Sequence, residues 1–246
     1  MSLIPALILH DLHAPFHDHR AWRLVLKVAR DLKPRLLIVN GDFLDCFAVS
    51  SHSKDLKRAQ NLKWEVAEGQ RLLDQLDTLG ADDKVFVAGN HCDRLRRYLE
   101  DKAPQLFGLV DIPGLLGLRE RGWHFVPYKS HTKRGKLHIT HDVGYAGRYA
   151  AFRALDTYQH SVITGHTHRF QYIVEGNATG EQKLSASFGW LGDANQVDYM
   201  HRAKVLKDWA LGFGIGYLHR TSGLVYLVPV PIVSYTCVVN GKLYTA

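Results

Sequence analysis

The chain has 246 residues, of which 46% are apolar and 22% are charged, and its formal net charge is +7. This is the balance of an ordinary soluble globular protein, and no apolar run approaches the ~20 residues of a transmembrane helix. The positive charge favours an anionic partner such as a nucleotide or nucleic acid, and a solvated basic surface is the alternative reading.

The first apolar run, Leu3–Leu9, predicts an opening strand. The start MSLIPALILHD has no basic segment and reaches an acidic residue early, which is typical of a strand rather than of a signal peptide. The three cysteines form no Cys-X-X-Cys pair, and their odd number argues against a disulfide framework. We therefore expect a protein of the reducing cytoplasm.

The first half of the chain alternates between predicted strands and helices. Asp18 is the expected N-cap of a helix that stops before Pro34. Apolar runs at residues 36–39 and 85–87 predict buried strands, and a helix with one apolar face covers residues 62–76 between them. Strand, helix, strand, helix, strand is the pattern of a mostly parallel sheet with helices on its faces.

The second half is less regular. A basic helix is predicted near Arg94 to Leu99, a strand at 137–140, a helix at 146–158 and a short strand at 162–163. Beyond residue 170, alternating apolar and polar stretches with glycine turns predict antiparallel hairpins. Since no repeat, low-complexity tract or linker interrupts the chain, we expect one domain over residues 1–246.

Five apolar runs end in side chains that can bind metals. The carboxyl ends of the strands in an open α/β sheet lie along one edge, so these side chains are expected to meet there. Carboxylate, imidazole and amide oxygen suit divalent Mn, Fe, Zn or Ni, and two such ions ~3.5–4 Å apart form a two-metal clamp. The residues concerned are Asp11, His13, Asp42, Asn90, His91, His141, His166 and His168.

Three of these residues suggest how a pair of ions is held. Asp42 is the natural bridge, because Gly41 before it lets the backbone turn sharply. His166 and His168 are separated by one residue, so in an extended strand both rings point the same way, one towards each metal.

Together these motifs resemble the calcineurin-like metallophosphoesterase superfamily. The resemblance implies an α/β fold of four layers, an α-β-β-α sandwich of mixed sheets with an antiparallel C-terminal part. It implies one metal on Asp11, His13, Asp42 and His168 and the other on Asp42, Asn90, His141 and His166, with manganese favoured. The segments that carry it are Asp11-Leu12-His13, Gly41-Asp42-Phe43-Leu44-Asp45, Gly89-Asn90-His91, His141 and Gly165-His166-Thr167-His168.

The implied activity is that of a dinuclear metal-dependent phosphoesterase. In this reading, a hydroxide bridging the metals is expected to attack phosphorus, and His91 is expected to protonate or stabilise the leaving oxygen. We expect a phosphodiester substrate, with nucleotide or nucleic acid ahead of lipid or phosphoprotein. The alternatives are a phosphomonoesterase or protein phosphatase, and a scaffold that binds metals and partners without catalysis. The oligomeric state stays open.

Other residues near these motifs are candidates for supporting roles. Asp45 is expected to orient a ligand histidine, and a turn or N-cap aspartate is the alternative. His52, Arg58 and Arg94 are candidates for contacting substrate phosphate, and a solvated helix surface is the alternative for them. The start DLHAPFHDHRAW, the Ser-Ser-His before residue 53 and the closing VNGKLY also resemble small phage metallophosphoesterases.

Two positions depart from the superfamily pattern. Cys92 follows the Gly-Asn-His where many relatives have an acidic residue, and a buried filler is favoured over a soft metal ligand. Thr140 precedes His141 where a glycine is frequent. Trp190 and Trp209 are interpreted as core or rim residues rather than as base-stacking platforms.

Overall fold

The computed structural model describes residues 3–52, 61–196 and 208–246, which build two β-sheets with helices on their outer faces. Its helices are α1 (His19–Leu32), α2 (Leu62–Asp77), α3 (Arg94–Lys102), α4 (Ile112–Leu116) and α5 (Ala150–Tyr158). Its strands are β1 (Leu3–Leu9), β2 (Leu36–Asn40), β3 (Asp83–Val87), β4 (His124–Val126), β5 (Thr132–Arg134), β6 (Leu137–Ile139), β7 (Val162–Ile163), β8 (Phe170–Gly176), β9 (Gln182–Phe188), β10 (Gly212–His219), β11 (Val225–Pro231), β12 (Thr236–Val239) and β13 (Lys242–Thr245).

The first sheet has the strand order β11-β10-β1-β2-β3-β4 within the described residues. Strands β1 to β4 run parallel, while β10 and β11 are antiparallel to their neighbours. The C-terminal hairpin therefore completes the sheet begun by the N-terminal strands, with Leu3 opposite His219.

The second sheet has the order β5-β6-β7-β9-β8. Its central strands β6, β7 and β9 are parallel, and β5 and β8 pair antiparallel at the two edges. A separate hairpin of β12 and β13 follows, as the glycine-punctuated C-terminal sequence predicts.

Four layers result from the way these elements bury their apolar faces. The two sheets pack against each other through a core to which Ile8 and Val85 contribute from one side and Ile163 and Phe188 from the other. The opposite face of the first sheet packs under α1 and α2, and α5 covers the second sheet through its buried face. The α-β-β-α sandwich predicted from the sequence is confirmed.

Most predicted helix ends agree with the structure. Asp18 caps α1 by accepting hydrogen bonds from the backbone N–H groups of Arg20 and Ala21, and the helix ends at Lys33, with φ 50°, directly before Pro34. Helix α5 begins at Ala150 rather than at residue 146, because residues 147–150 form a turn closed by an Ala150 N–H bond to the Gly147 carbonyl.

The proline and glycine residues of the middle segment predict short elements, but the type and bounds of these elements were not predicted. Strands β4 and β5 have three residues each, too few for an alternating pattern to emerge, and α4 is a single turn capped by Asp111. In the described part of the chain, no helix combines the length and the apolar character needed to cross a membrane.

Candidate metal centre

The predicted metal-binding residues lie on loops that follow the strands of both sheets. Five of them have left-handed backbone conformations, a region that non-glycine residues seldom occupy. Backbone strain of this kind costs about 1–3 kcal/mol per residue and concentrates at functional sites. The five are Asp11 (φ 49°), His13 (φ 54°), Asp42 (φ 42°), His166 (φ 67°) and His168 (φ 58°).

The first group of ligand atoms consists of Asp11, His13 and His168, all of them buried. The Nε2 atoms of the two histidines are 3.2 Å apart, and His168 Nε2 is 3.5 Å from Asp11 Oδ1. Ligands of one ion at metal–nitrogen distances of 2.0–2.1 Å lie roughly 3 Å from one another. This group therefore has the spacing of a site for one divalent ion.

The second group consists of Asp42, His141 and His166. His141 Nε2 lies 3.3 Å from Asp42 Oδ2, and the Asn90 amide oxygen is 2.9 Å from His166 Nδ1 and 3.2 Å from His141 Nε2. Asn90 thus extends the group to four oxygen and nitrogen donors. The two groups are adjacent, since His141 Nε2 is 4.0 Å from Asp11 Oδ1.

The charges in the second group are tightly linked. Burial alone would raise the pKa of Asp42, but His141 and His91 beside it hold that pKa well below its usual range. Burial opposes protonation of His141, but the Asp42 carboxylate raises the pKa of this imidazole to about 10. A metal ion that binds here must therefore displace a proton, so metal affinity falls at low pH.

Two glycines allow the backbone to approach these side chains. A Cβ atom on Gly41, where φ is 90°, would overlap the ring of His141. A Cβ atom on Gly89 would overlap the Asp42 carboxylate. Only glycine fits at either position without displacing a metal-compatible residue.

Asp45, His91 and Arg94 form a linked trio beside the two groups. The Asp45 carboxylate contacts His91 Nδ1, and its Oδ1 lies 3.7 Å from His13 Nδ1. The Arg94 guanidinium donates to the Asp45 carbonyl oxygen at 2.8 Å and to Asp45 Oδ1 at 2.9 Å. Asp45 therefore holds His91 and Arg94 as well as approaching a histidine of the first group, which extends the role expected from the sequence.

The site opens to solvent through a cavity of about 300 Å³. Its lining combines side chains of both groups with a cation and an aromatic ring. The lining residues are Asp42, His91, Ala146, His166, Thr167, His168, Arg169 and Trp209.

The sequence model of the calcineurin-like phosphoesterase family matches residues 4–219. The chain belongs to this family. Two curated relatives come from phages: the gene 54 protein of Mycobacterium phage L5 is 26% identical over 257 residues, covering 97% of each protein. The gene 54 protein of Mycobacterium phage D29 is 27% identical over 230 residues, covering 85% of this chain and 87% of the phage protein. The predicted similarity to phage proteins is confirmed.

Among solved structures, vacuolar protein sorting 29 from Cryptosporidium parvum is similar over 98% of this chain and 94% of its own, with 14% identity and a TM-score of 0.49. Membership of the calcineurin-like phosphoesterase family, together with histidine–aspartate groups that can hold metal ions, supports a metal-dependent phosphoesterase.

The predicted phosphate-contacting residues have different positions in this calcineurin-like chain. Arg94 reaches the site through Asp45 and His91, as described above. His52 is exposed, its backbone N–H bonds to Ser50 Oγ, and it is absent from the cavity lining. Arg58 lies outside the described residues. The two arginines that follow on α3, Arg96 and Arg97, are half exposed, pair with Asp93 and do not line the cavity.

Cys92 is buried in the apolar core, with Sγ 3.8 Å from the Leu44 carbonyl oxygen. Burial raises the pKa of this thiol to about 12, so it stays protonated near neutral pH. It belongs to none of the metal-compatible groups among the described residues. These observations favour the reading of Cys92 as a buried filler.

The prediction that His166 and His168 lie on an extended strand was wrong. Strand β7 ends at Ile163, and both histidines lie beyond it in left-handed backbone. The two rings still belong to different groups of ligand atoms, because each left-handed residue redirects the chain.

Sequence reasoning missed how the aromatic residues support the site. The buried Trp190 ring stacks on His168, with centroids 4.7 Å apart and planes at 11°. Trp209 meets the same imidazole edge-on at 4.4 Å and lines the cavity. Trp190 is therefore a core residue as predicted, and Trp209 is a rim residue. Arg169, which also lines the cavity, follows the His168 motif directly, and that adjacency was the available signal.

Proposed function

We propose that this chain is a dinuclear phosphodiesterase that uses two manganese ions and acts on nucleotide or nucleic acid substrates. The observation that carries the proposal is the adjacency of the two ligand groups, with His141 Nε2 4.0 Å from Asp11 Oδ1. Two ions about 3.5–4 Å apart, as in known two-metal sites, would bring their ligand groups this close.

The proposed ligand sets follow from these contacts. One ion would be held by Asp11, His13, Asp42 and His168, and the other by Asp42, Asn90, His141 and His166. Asp42 is the proposed shared ligand. The bound ions would supply an activated water and neutralise negative charge on the phosphoryl oxygens.

His91 is the proposed proton donor to the leaving oxygen. Its Nδ1 contacts the Asp45 carboxylate, so Nε2, which Arg94 approaches, is the nitrogen proposed to face the substrate. His91 lines the cavity, which gives Nε2 access to a bound phosphate ester. Arg94, 3.2 Å from Nε2, is the proposed contact for a phosphoryl oxygen.

The surroundings of the centre support a diester over a monoester. A second cavity of about 220 Å³ adjoins the first and shares Trp209 with it. A diester carries an organic group on each side of phosphorus, and two adjoining spaces divided by an aromatic ring suit that shape.

The test compares two substrates that share a leaving group, bis(4-nitrophenyl) phosphate and 4-nitrophenyl phosphate. With the manganese-loaded protein, we expect kcat/KM to be at least about tenfold higher for the diester, a difference of ~1.4 kcal/mol in barrier. Chelation should abolish both activities, and Asp42→Asn should release one or both ions and abolish hydrolysis.

Other outcomes identify the alternatives. Preference for the monoester would indicate a phosphomonoesterase. Absence of turnover with manganese, nickel, zinc and magnesium alike, in a protein that binds the ions, would indicate a scaffold.

A further inference from the structure

A separate group of metal-compatible side chains lies outside the centre described above. His17 lies in the loop that joins β1 to α1, His19 is the first residue of α1, and Glu68 lies on α2. One ligand atom from each of these three residues lies within 4.8 Å of the others. None of the three belongs to the calcineurin-like motifs.

His17 is the most informative member of the group. Its side chain is fully buried, and neither ring nitrogen has a hydrogen-bond partner. A buried polar atom left without a partner destabilises the folded protein, so a ligand that satisfies it is favoured. His17 Nε2 points at Glu68 Oε1 from 3.7 Å, which is too long for a hydrogen bond and close to the separation of two ligands on one ion.

The charge state of the group also suits a cation. Burial lowers the pKa of His17 to about 4, so its imidazole is neutral and offers a lone pair at neutral pH. The Arg71 hydrogen bond lowers the pKa of Glu68, so this side chain is an ionised carboxylate. The His19 ring meets His17 at 4.4 Å between centroids and is exposed to solvent, which leaves a route for the ion to enter.

We infer that His17, His19 and Glu68 form a third metal site, which binds a zinc-type divalent cation. Two imidazoles and one carboxylate are a ligand set that zinc accepts, with water in the fourth position. Such an ion would satisfy the buried His17 nitrogen. It would also connect the loop that carries Asp11 and His13 to helix α2.

Arg71 is a competitor for this site. Its guanidinium donates to both carboxylate oxygens of Glu68, at 2.9 Å and 2.6 Å. The Arg71 side chain is 46% exposed, so the pair is of the kind that contributes about 0.2–1 kcal/mol. Removing Arg71 should therefore strengthen zinc binding by roughly 1.4- to fivefold, because the carboxylate no longer has to release the guanidinium.

The experiment titrates the metal-free, full-length protein with Zn²⁺ against a chromophoric chelator and counts the equivalents bound. His19→Ala and Glu68→Gln are the test variants, because neither position is fully buried and both chains should fold. His124→Ala, an exposed histidine on β4, is the matched control. Each test variant should bind one equivalent fewer than the wild type, and the control should bind as many.

The stoichiometry is read as a difference from wild type, so it does not depend on how many ions the main centre holds or on whether the protein hydrolyses a phosphodiester. Unchanged stoichiometry and affinity in His19→Ala would overturn the site. Equal or weaker zinc affinity in Arg71→Met would contradict Glu68 as a ligand, and with it the site as proposed.

Discussion

The Arg94 guanidinium Nη2 lies 3.2 Å from the Nε2 of His91, while the Asp45 carboxylate contacts the other ring nitrogen. A guanidinium can only donate, so Nε2 accepts in this arrangement and the ring proton is on Nδ1. When His91 also carries a proton on Nε2, Arg94 must turn to another acceptor. A phosphoryl oxygen of the substrate is such an acceptor, and this couples phosphate binding to protonation of His91.

This coupling leads to a prediction for His91→Gln. The variant should keep its metal ions but lose about 10²–10⁴-fold in kcat/KM on alkyl or nucleoside diesters, the usual value of general-acid help. Nitrophenyl diesters should be affected far less, because their leaving group needs little protonation. The measurement is kcat/KM across diesters of increasing leaving-group pKa, with His124→Gln as an exposed histidine control. Parallel dependences for variant and wild type would reject the acid role.

A second prediction uses two glycines with similar backbone but different surroundings. Gly41 (φ 90°) faces the His141 ring, whereas Gly80 (φ 69°) has no atom within 4 Å of the position that a Cβ would take. Left-handed backbone costs both alanine variants about 1–2 kcal/mol. Only Gly41→Ala should displace His141, lose bound metal and lose hydrolysis. Elemental analysis, turnover and the free energy of unfolding compare the two, and an active, fully metallated Gly41→Ala protein would disprove the close-packing argument.

A third prediction concerns the pH dependence of stability. The buried Glu65 carboxylate accepts backbone hydrogen bonds from Phe47 at 2.9 Å and Ala48 at 2.8 Å, which fixes the turn after Asp45. Burial raises the pKa of Glu65 from 4.5 to about 7. Between pH 4.5 and about 7, Glu65 holds a proton in the folded chain that it has lost in the unfolded chain. The stability that the protonated Glu65 contributes is therefore fully present below pH 4.5 and is lost as the pH rises through about 7.

The shift in the pKa of Glu65 corresponds to a change of at most about 3 kcal/mol in the free energy of unfolding. The free energy of unfolding should therefore fall from pH 5 to pH 8 by more in the wild type than in Glu65→Gln, which cannot titrate. Denaturant unfolding of both proteins at the two pH values measures the effect. If the wild type and Glu65→Gln differ in free energy of unfolding by the same amount at both pH values, Glu65 keeps an ordinary pKa in the folded protein.

Sequence patterns were sufficient for the residues that meet at the strand ends, whereas the four layers followed from the resemblance to the calcineurin-like superfamily. Asp11, Asp42 and Asn90 each follow a buried apolar run, and the geometry of parallel strands brings such positions to one edge. That inference needs only local patterns and a general rule of sheet topology. It does not need the conformation of any single loop.

The remaining features depend on contacts between distant segments. Nothing near Trp190 indicates that it stacks on His168, 22 positions earlier in the chain. Strand β10 contains three glycines, which weaken a strand pattern, yet it pairs with both β1 and β11. The left-handed backbone at His166 and His168 is likewise a product of the assembled site, and propensity alone predicts the opposite for a non-glycine residue.

The pairing of β1 with β10 also has a consequence for how the protein is made. A ribosome that adds about 5–20 residues per second needs roughly 10–40 s to travel from β1 to residues 212–219. Throughout that interval the edge of β1 that faces β10 has no partner strand, although β2 can already pair with the other edge, and an open strand edge is the kind of surface to which other chains attach. Asp11 and His13 are thus among the earliest ligands to leave the exit tunnel, but β1, which directly precedes their loop, is among the last strands to gain its full set of neighbours.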